Sequence, residues 1–265
     1  MAAGRMEFFS KSVMQHVNIS FVLPNDFAMN EIRNPCYYDR PAKTVILLHG
    51  LTGTDTDWLY WGMVQELAKQ YNLAIFMPGD GNYFYLDHGY EGGNHASLVG
   101  EELPAYIRKT FGGCSRREDT IIAGLSMGGF GAVHTALTYP ETFGSCIALS
   151  SAFVVHEVAE TGGRKDDVMP IPMIRDVFGD PQKILASDKN PEVLYRKLKA
   201  EGKEIPGIYL AIGTEDGLYS CNQEFRMFLE KEGADYIYEE GPGDHYWDFW
   251  NPFLQRGIEW VLGRG

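Results

Sequence analysis

One hexapeptide, Gly124-Leu125-Ser126-Met127-Gly128-Gly129, constrains the fold of this chain more than any other stretch. It follows an apolar run, Thr120-Ile121-Ile122-Ala123, that reads as a buried strand, and it opens a helix-like run over 127–139. A GxSxG turn between strand and helix is so tight that its flanking positions must be nearly side-chain-free, while the central serine projects above the sheet. The helix N-terminus behind it favours negative charge. A plain small-residue turn is the alternative, and the strand before and helix after weigh against it. The segment predicts a nucleophile elbow at Ser126.

An elbow needs a parallel sheet around it, and the chain supplies the rhythm for one. Short β-branched runs at 44–48, 73–77, 120–123, 145–149, 208–212 and 236–239 alternate with amphipathic stretches at 57–70, 98–110, 127–139, 221–232 and 247–262. That alternation predicts an α/β fold, a mostly parallel central sheet flanked by helices. The start differs: Val17, Ile19 and Phe21 recur with period 2, as in a half-buried antiparallel strand, so an N-terminal edge hairpin is expected. No repeat or Pro/Ser-rich linker divides residues 1–265, which read as one domain. Only residues 151–206 break the rhythm, and long connections of this kind tend to be lids, so a small cap insertion is expected there.

Composition excludes other classes. With 23 Lys+Arg against 36 Asp+Glu the net charge is −13, a field that repels phosphate backbones and anionic lipid heads, so no nucleic-acid or membrane partner is expected. Arg5, Glu7, Lys11 and His16 interrupt the apolar stretch an export signal would need, and no run approaches the ~20 residues of a membrane span. The expected location is the cytoplasm. Cys36, Cys114, Cys146 and Cys221 lack any metal-ligand spacing and read as reduced packing thiols.

A serine hydroxyl is a weak nucleophile until a base takes its proton. On this architecture the order is serine, acid, histidine. Outside the helix that holds His134, only His156 and His245 follow Ser126. His245 lies in a Gly/Pro loop, Glu240-Gly241-Pro242-Gly243-Asp244, between the last strand and the last helix, and is the expected base; His156 falls in the insertion. The acid should follow the preceding strand, which ends in Gly213-Thr214-Glu215-Asp216. Asp216 is chosen, with Glu215 as runner-up and Asp244 as a loop residue. The oxyanion that forms needs preorganised donors. These are expected from the backbone N–H of Met127 and, after the strand at 44–48, of Leu51 in His49-Gly50-Leu51-Thr52-Gly53. His49 reads as a structural residue of that loop.

The motifs HGLTG, GLSMGG, GTEDGLY and the closing GPGDHYWDFW resemble the esterase D group of α/β-hydrolases, over nearly the whole chain. The nearest likeness is to bacterial tributyrin esterases, with S-formylglutathione hydrolases and feruloyl and acetyl-carbohydrate esterases as wider relatives. The resemblance implies an α/β-hydrolase fold, Ser126 as nucleophile, Asp216 as acid, His245 as base, and Leu51 and Met127 as oxyanion hole. It also leaves room for a soluble homo-oligomer. Residues 79–95 depart from the pattern, being rich in Gly, aromatics and His.

Within that departure Tyr83, Phe84 and Tyr85 are candidates to contact substrate, although such aromatics more often pack; Trp247 is a further candidate. Trp58, Trp61 and Trp250 are expected in core or pocket wall. His88, His95, Asp80 and Asp87 lack metal-site spacing, and no metal or other cofactor is expected. Glu101 and Glu102 read as surface charges that complement a helix dipole. The expected function is a serine esterase acting on small-molecule esters of short-chain or small aromatic acids. A thioesterase such as S-formylglutathione hydrolase, a peptidase, and a non-catalytic binding protein on the same fold are the alternatives.

Overall fold

Strands buried on both faces are mostly apolar along their length, and four of the short runs are, with polar residues only at their starts. The computed structural model describes residues 2–162 and 169–264. Its strands are β1 (Ala2–Ser10), β2 (Gln15–Leu23), β3 (Lys43–Leu48), β4 (Leu73–Pro78), β5 (Thr120–Leu125), β6 (Ser145–Leu149), β7 (Gly207–Gly213) and β8 (Tyr236–Gly241). They form one sheet in the order β1-β2-β4-β3-β5-β6-β7-β8. All residues of β3, β5, β6 and β7 are buried. From β4 through β8 every pairing is parallel, whereas β2 joins β4 antiparallel and β1 joins β2 antiparallel.

The helices are α1 (Asp57–Trp61), α2 (Val64–Tyr71), α3 (His95–Ser97), α4 (Leu103–Phe111), α5 (Met127–Thr138), α6 (Val155–Thr161), α7 (Ile171–Phe178), α8 (Pro191–Ala200), α9 (Tyr219–Glu232) and α10 (Trp247–Leu262). Successive strand residues point to opposite faces, so the core divides in two. Ile46, Leu48 and Ile122 pack with Ile107 of α4, Val133 of α5, Leu194 of α8 and Phe225 of α9. Val45, Leu47 and Ile121 pack instead with Trp58 of α1, Leu67 of α2 and Leu254 of α10. The result is the layering expected from the rhythm, a mostly parallel sheet flanked by helices, and it agrees with the α/β-hydrolase fold that the resemblance implies. No helix among the described residues is long and apolar enough to cross a membrane.

Four local features differ from the sequence reading. The stretch 57–70 is two helices, because Gly62 turns extended after α1 and a Cβ there would sit 2.5 Å from the Trp58 carbonyl oxygen. That break leaves Trp61 exposed, where core or wall was expected, while Trp58 is fully buried and donates its indole N–H to Leu48 O at 2.9 Å. The stretch 98–110 begins with a π-helical turn, Leu98–Glu102, rather than a regular helix.

Glu102 is not a free surface charge. Its carboxylate receives the Ser10 hydroxyl at 2.5 Å and the N–H groups of Lys11 and Ser12 at 2.7 and 3.1 Å, which ties down the β1–β2 turn. Burial acts to raise its pKa, and these hydrogen bonds outweigh it and hold the group below the usual range. In the segment 151–206, α8 packs on α5 and α9 as part of the layer over the sheet. Residues 163–168 of the expected cap lie outside the described residues.

Candidate active site

The elbow is built from close backbone approach. Ser126 sits between β5 and α5 at φ 55° and ψ −120°, a conformation that side chains rarely adopt. A Cβ on Gly124 would lie 2.3 Å from Gly128 O, and one on Gly128 would lie 2.6 Å from both Leu48 O and His49 O. Only glycine fits at either position. The turn is closed by Ser126 N–H to Leu149 O at 2.8 Å and by the Gly129 and Phe130 N–H groups on Ser126 O, each at 3.1 Å.

Asp216 and His245 meet from two successive strand ends. His245 Nδ1–H donates to Asp216 Oδ2 at 2.9 Å, and Leu218 N–H donates to the other carboxylate oxygen at 2.8 Å. Burial acts to raise the Asp216 pKa, but the His245 contact, the Leu218 N–H and the Ser150 hydroxyl together hold it below the usual carboxylate range. Ser150, at φ 45° and fully buried, also accepts the Trp250 indole N–H at 2.9 Å. Glu215, the runner-up acid, points away and accepts Gly243 N–H at 2.5 Å, while its own N–H donates to Gly243 O at 3.0 Å. It therefore pins the loop that carries His245. His156 pairs with Glu192 at 2.8 Å in the insertion, and Asp244 remains an exposed loop residue.

The loop after β3 brings Leu51 to the same place. His49 Nδ1–H donates to Gly50 O at 2.7 Å, and its Nε2 accepts Asp80 N–H at 3.1 Å, so the ring braces the turn. Met127 opens α5, where a first-turn N–H has no acceptor within the helix. Leu51, Met127, Ser126, Asp216 and His245 line one cavity of about 480 Å³.

Phe84 and Trp247 line this cavity; Tyr83 and Tyr85 do not. Tyr83 stacks on His95 at 4.1 Å, and Tyr85 is fully buried with its hydroxyl donating to His49 O at 3.1 Å. Phe84 and Tyr85 both have positive φ and both are buried, but only Phe84 lines the cavity. Sequence reasoning missed Met169, Ala152 and Leu218 in the wall and Ser150 behind Asp216. The position of Ser150 just after β6 was the available signal, since sites gather at the C-terminal ends of parallel strands. His95 Nδ1–H donates to the buried Asp80 carboxylate at 2.7 Å. Among the described residues no group of three His, Cys, Asp or Glu side chains is placed to hold a metal ion.

An α/β-hydrolase sheet with a serine elbow opening into a strand-end cavity defines the class. A family described as putative esterase matches residues 10–261, and the chain belongs to it. It is 38% identical to an acetyl esterase of Caldicellulosiruptor saccharolyticus over 98% of both chains. Among solved structures it is similar to the fluorophosphonate-binding serine hydrolase F of Staphylococcus aureus, at 27% identity, TM-score 0.83 and 98% coverage of each chain. An S-formylglutathione hydrolase of the same organism matches at 26% identity and TM-score 0.81, again over 98% of each. The chain is a carboxylic-ester hydrolase.

Proposed function

We propose that this chain hydrolyses small esters, acetyl esters foremost, through a Ser126-His245-Asp216 acyl-enzyme mechanism. Ser126 Oγ attacks the ester carbonyl carbon as His245 Nε2 takes its proton, and the alkoxide that forms accepts the N–H groups of Leu51 and Met127. The tetrahedral intermediate collapses to an acyl-Ser126 ester, and His245 returns the proton to the leaving alcohol. Water then attacks the acyl carbon with the same base, releasing the acid and restoring the serine. Asp216 holds the imidazole in the tautomer with hydrogen on Nδ1 and stabilises the imidazolium.

The observation that carries this reading is the 2.9 Å Asp216–His245 pair facing the same cavity as a strained Ser126. Phe84, Leu125, Met169 and Trp247 give that cavity a largely apolar wall, which suits short acyl chains or a compact aromatic acid. Met169 comes from the segment 151–206, in keeping with a cap over the acyl site. The 38%-identical acetyl esterase favours the shortest chain. Thioester cleavage is the second reading, favoured by the likeness to an S-formylglutathione hydrolase.

The test is turnover of 4-nitrophenyl esters of increasing length beside an acetylated sugar, methyl ferulate and S-formylglutathione. Acetyl esters should be turned over best, and Ser126→Ala should lose on the order of 10⁶ in kcat with the fold kept. Near-normal turnover by Ser126→Ala would end the reading, and a preference for S-formylglutathione would replace the first substrate class by the second.

A further inference from the structure

An oxyanion donor works only if it is in place before the charge forms. Met127 N–H is held by a helix, but Leu51 N–H belongs to a glycine- and threonine-rich loop with no ladder of its own. The loop is held from outside. At its start the His49 ring is braced by Asp80 N–H, and Thr52 N–H donates to Asn82 Oδ1 at 2.7 Å. At its far end stands Asp55, whose carboxylate is 3% exposed.

Arg5 grips that carboxylate with two bonds, Nε to Oδ2 at 2.7 Å and Nη2 to Oδ1 at 2.8 Å, and the Ser20 hydroxyl donates to Oδ2 at 2.8 Å. Arg5 lies on β1 and Ser20 on β2, and the two are direct partners in the antiparallel register. A buried carboxylate is tolerable only with its charge matched and its lone pairs filled. Arg5, Ser20 and Asp55 meet both conditions together.

We propose that this clamp positions the oxyanion loop, so that the N-terminal hairpin belongs to the catalytic apparatus. Asp55, Arg5 and Ser20 are positioning residues, acting through the backbone between Asp55 and Leu51. The proposal rests on the oxyanion role of Leu51. The β2–β4 ladder already joins the hairpin to the sheet, so the clamp is not needed merely to attach it.

The test compares Arg5→Ala, Asp55→Asn and the double variant with wild type, each rate divided by the number of sites titrated with a fluorophosphonate. Displacing the donor should lower kcat per titrated site by roughly 10- to 100-fold, with KM changed by less than about threefold. Affinity for a trifluoromethyl ketone, which Ser126 converts to a tetrahedral alkoxide while His245 takes the proton, should fall by the same factor. The double variant should be no worse than the weaker single, since both remove one contact. Arg5 is half-exposed, so guanidinium ion in the buffer should partly restore Arg5→Ala. Arg264→Ala, which breaks the Arg264–Asp235 pair, should leave kcat unchanged.

Wild-type kcat per titrated site in both clamp variants would overturn the proposal, because any loss would then reflect only the folded fraction. Should Asp55→Asn fail to fold, Arg5→Ala and its rescue decide the matter alone. Activity retained in Ser126→Ala would instead remove the triad reading, and the clamp with it. Full dependence on Ser126 with unaffected clamp variants would remove the clamp only.

Discussion

The elbow at Ser126 and the loop at Leu51 line the same cavity, the first held by backbone contacts and the second by side chains from distant segments. The elbow is fixed by backbone alone: Gly124, Ser126 and Gly128 lie within one turn of chain, Gly124 packs against Gly128 O, and the neighbouring strand ends add only backbone oxygens, Leu48 O, His49 O and Leu149 O. The Leu51 loop is braced by groups far along the chain. Asp80 is 31 residues from His49, Asn82 is 30 from Thr52, and Arg5 is 50 from Asp55. The part of a site that supplies the nucleophile can be written in a contiguous motif. The part proposed to receive the charge is braced by side chains from distant segments, the edge hairpin among them.

The comparison is sharpened first by the other long-range element, the acid. Asp216→Asn should lower kcat by roughly 10⁴ with the fold intact, because the imidazole is then held in the wrong tautomer. Glu215→Gln should cost far less, and equal losses in the two would show that the His245 loop, rather than the acid, had been disturbed. At the elbow, Gly128→Ala forces a Cβ against two backbone oxygens and should destabilise by about 1–3 kcal/mol or more in urea unfolding. Gly50→Ala meets chiefly the movable end of Leu125, at 2.8 Å, and should cost less. A reversal of that order would break the claim that the elbow is the stiffer region.

Acid sensitivity tests the hairpin. Glu102 and Asp216 are held below the usual carboxylate range when folded, so the unfolded chain takes up protons first as pH falls. Their stabilisation is present above that range and is lost as pH drops through it towards the folded values. Glu102→Gln should therefore show a shallower fall in urea midpoint below about pH 5 than the wild type. The smallest effect is expected for Tyr85→Phe, which removes one buried hydrogen bond to His49 O and should cost about 0.5–1.5 kcal/mol.

Much of this molecule was legible without coordinates. The GLSMGG turn between strand and helix pointed to Ser126, the serine-acid-histidine order pointed to His245, and the strand end before it offered Asp216 with Glu215 as its neighbour. Other assignments were not legible. Tyr83, Phe84 and Tyr85 are chemically alike and adjacent, and nothing in their spacing tells that Phe84 lines the cavity while Tyr83 stacks on His95 and Tyr85 bonds to His49 O. Glu102 read as a surface charge because its partners, Ser10 to Ser12, lie at least 90 residues away in sequence. The break at Gly62 was hidden because the apolar period runs through it, and the clash with Trp58 O exists only in the folded turn.

The chain by itself determined the layer architecture and the strand-turn-helix elbow, because both follow from short-range sterics or from strand and helix periodicity. Tertiary structure decided which of two adjacent acids faces the imidazole, which aromatic ring lines the cavity, and which arginine meets the buried Asp55. Those choices turn on the direction in which a side chain leaves the backbone and on what distant segment it meets, and neither is encoded in local spacing.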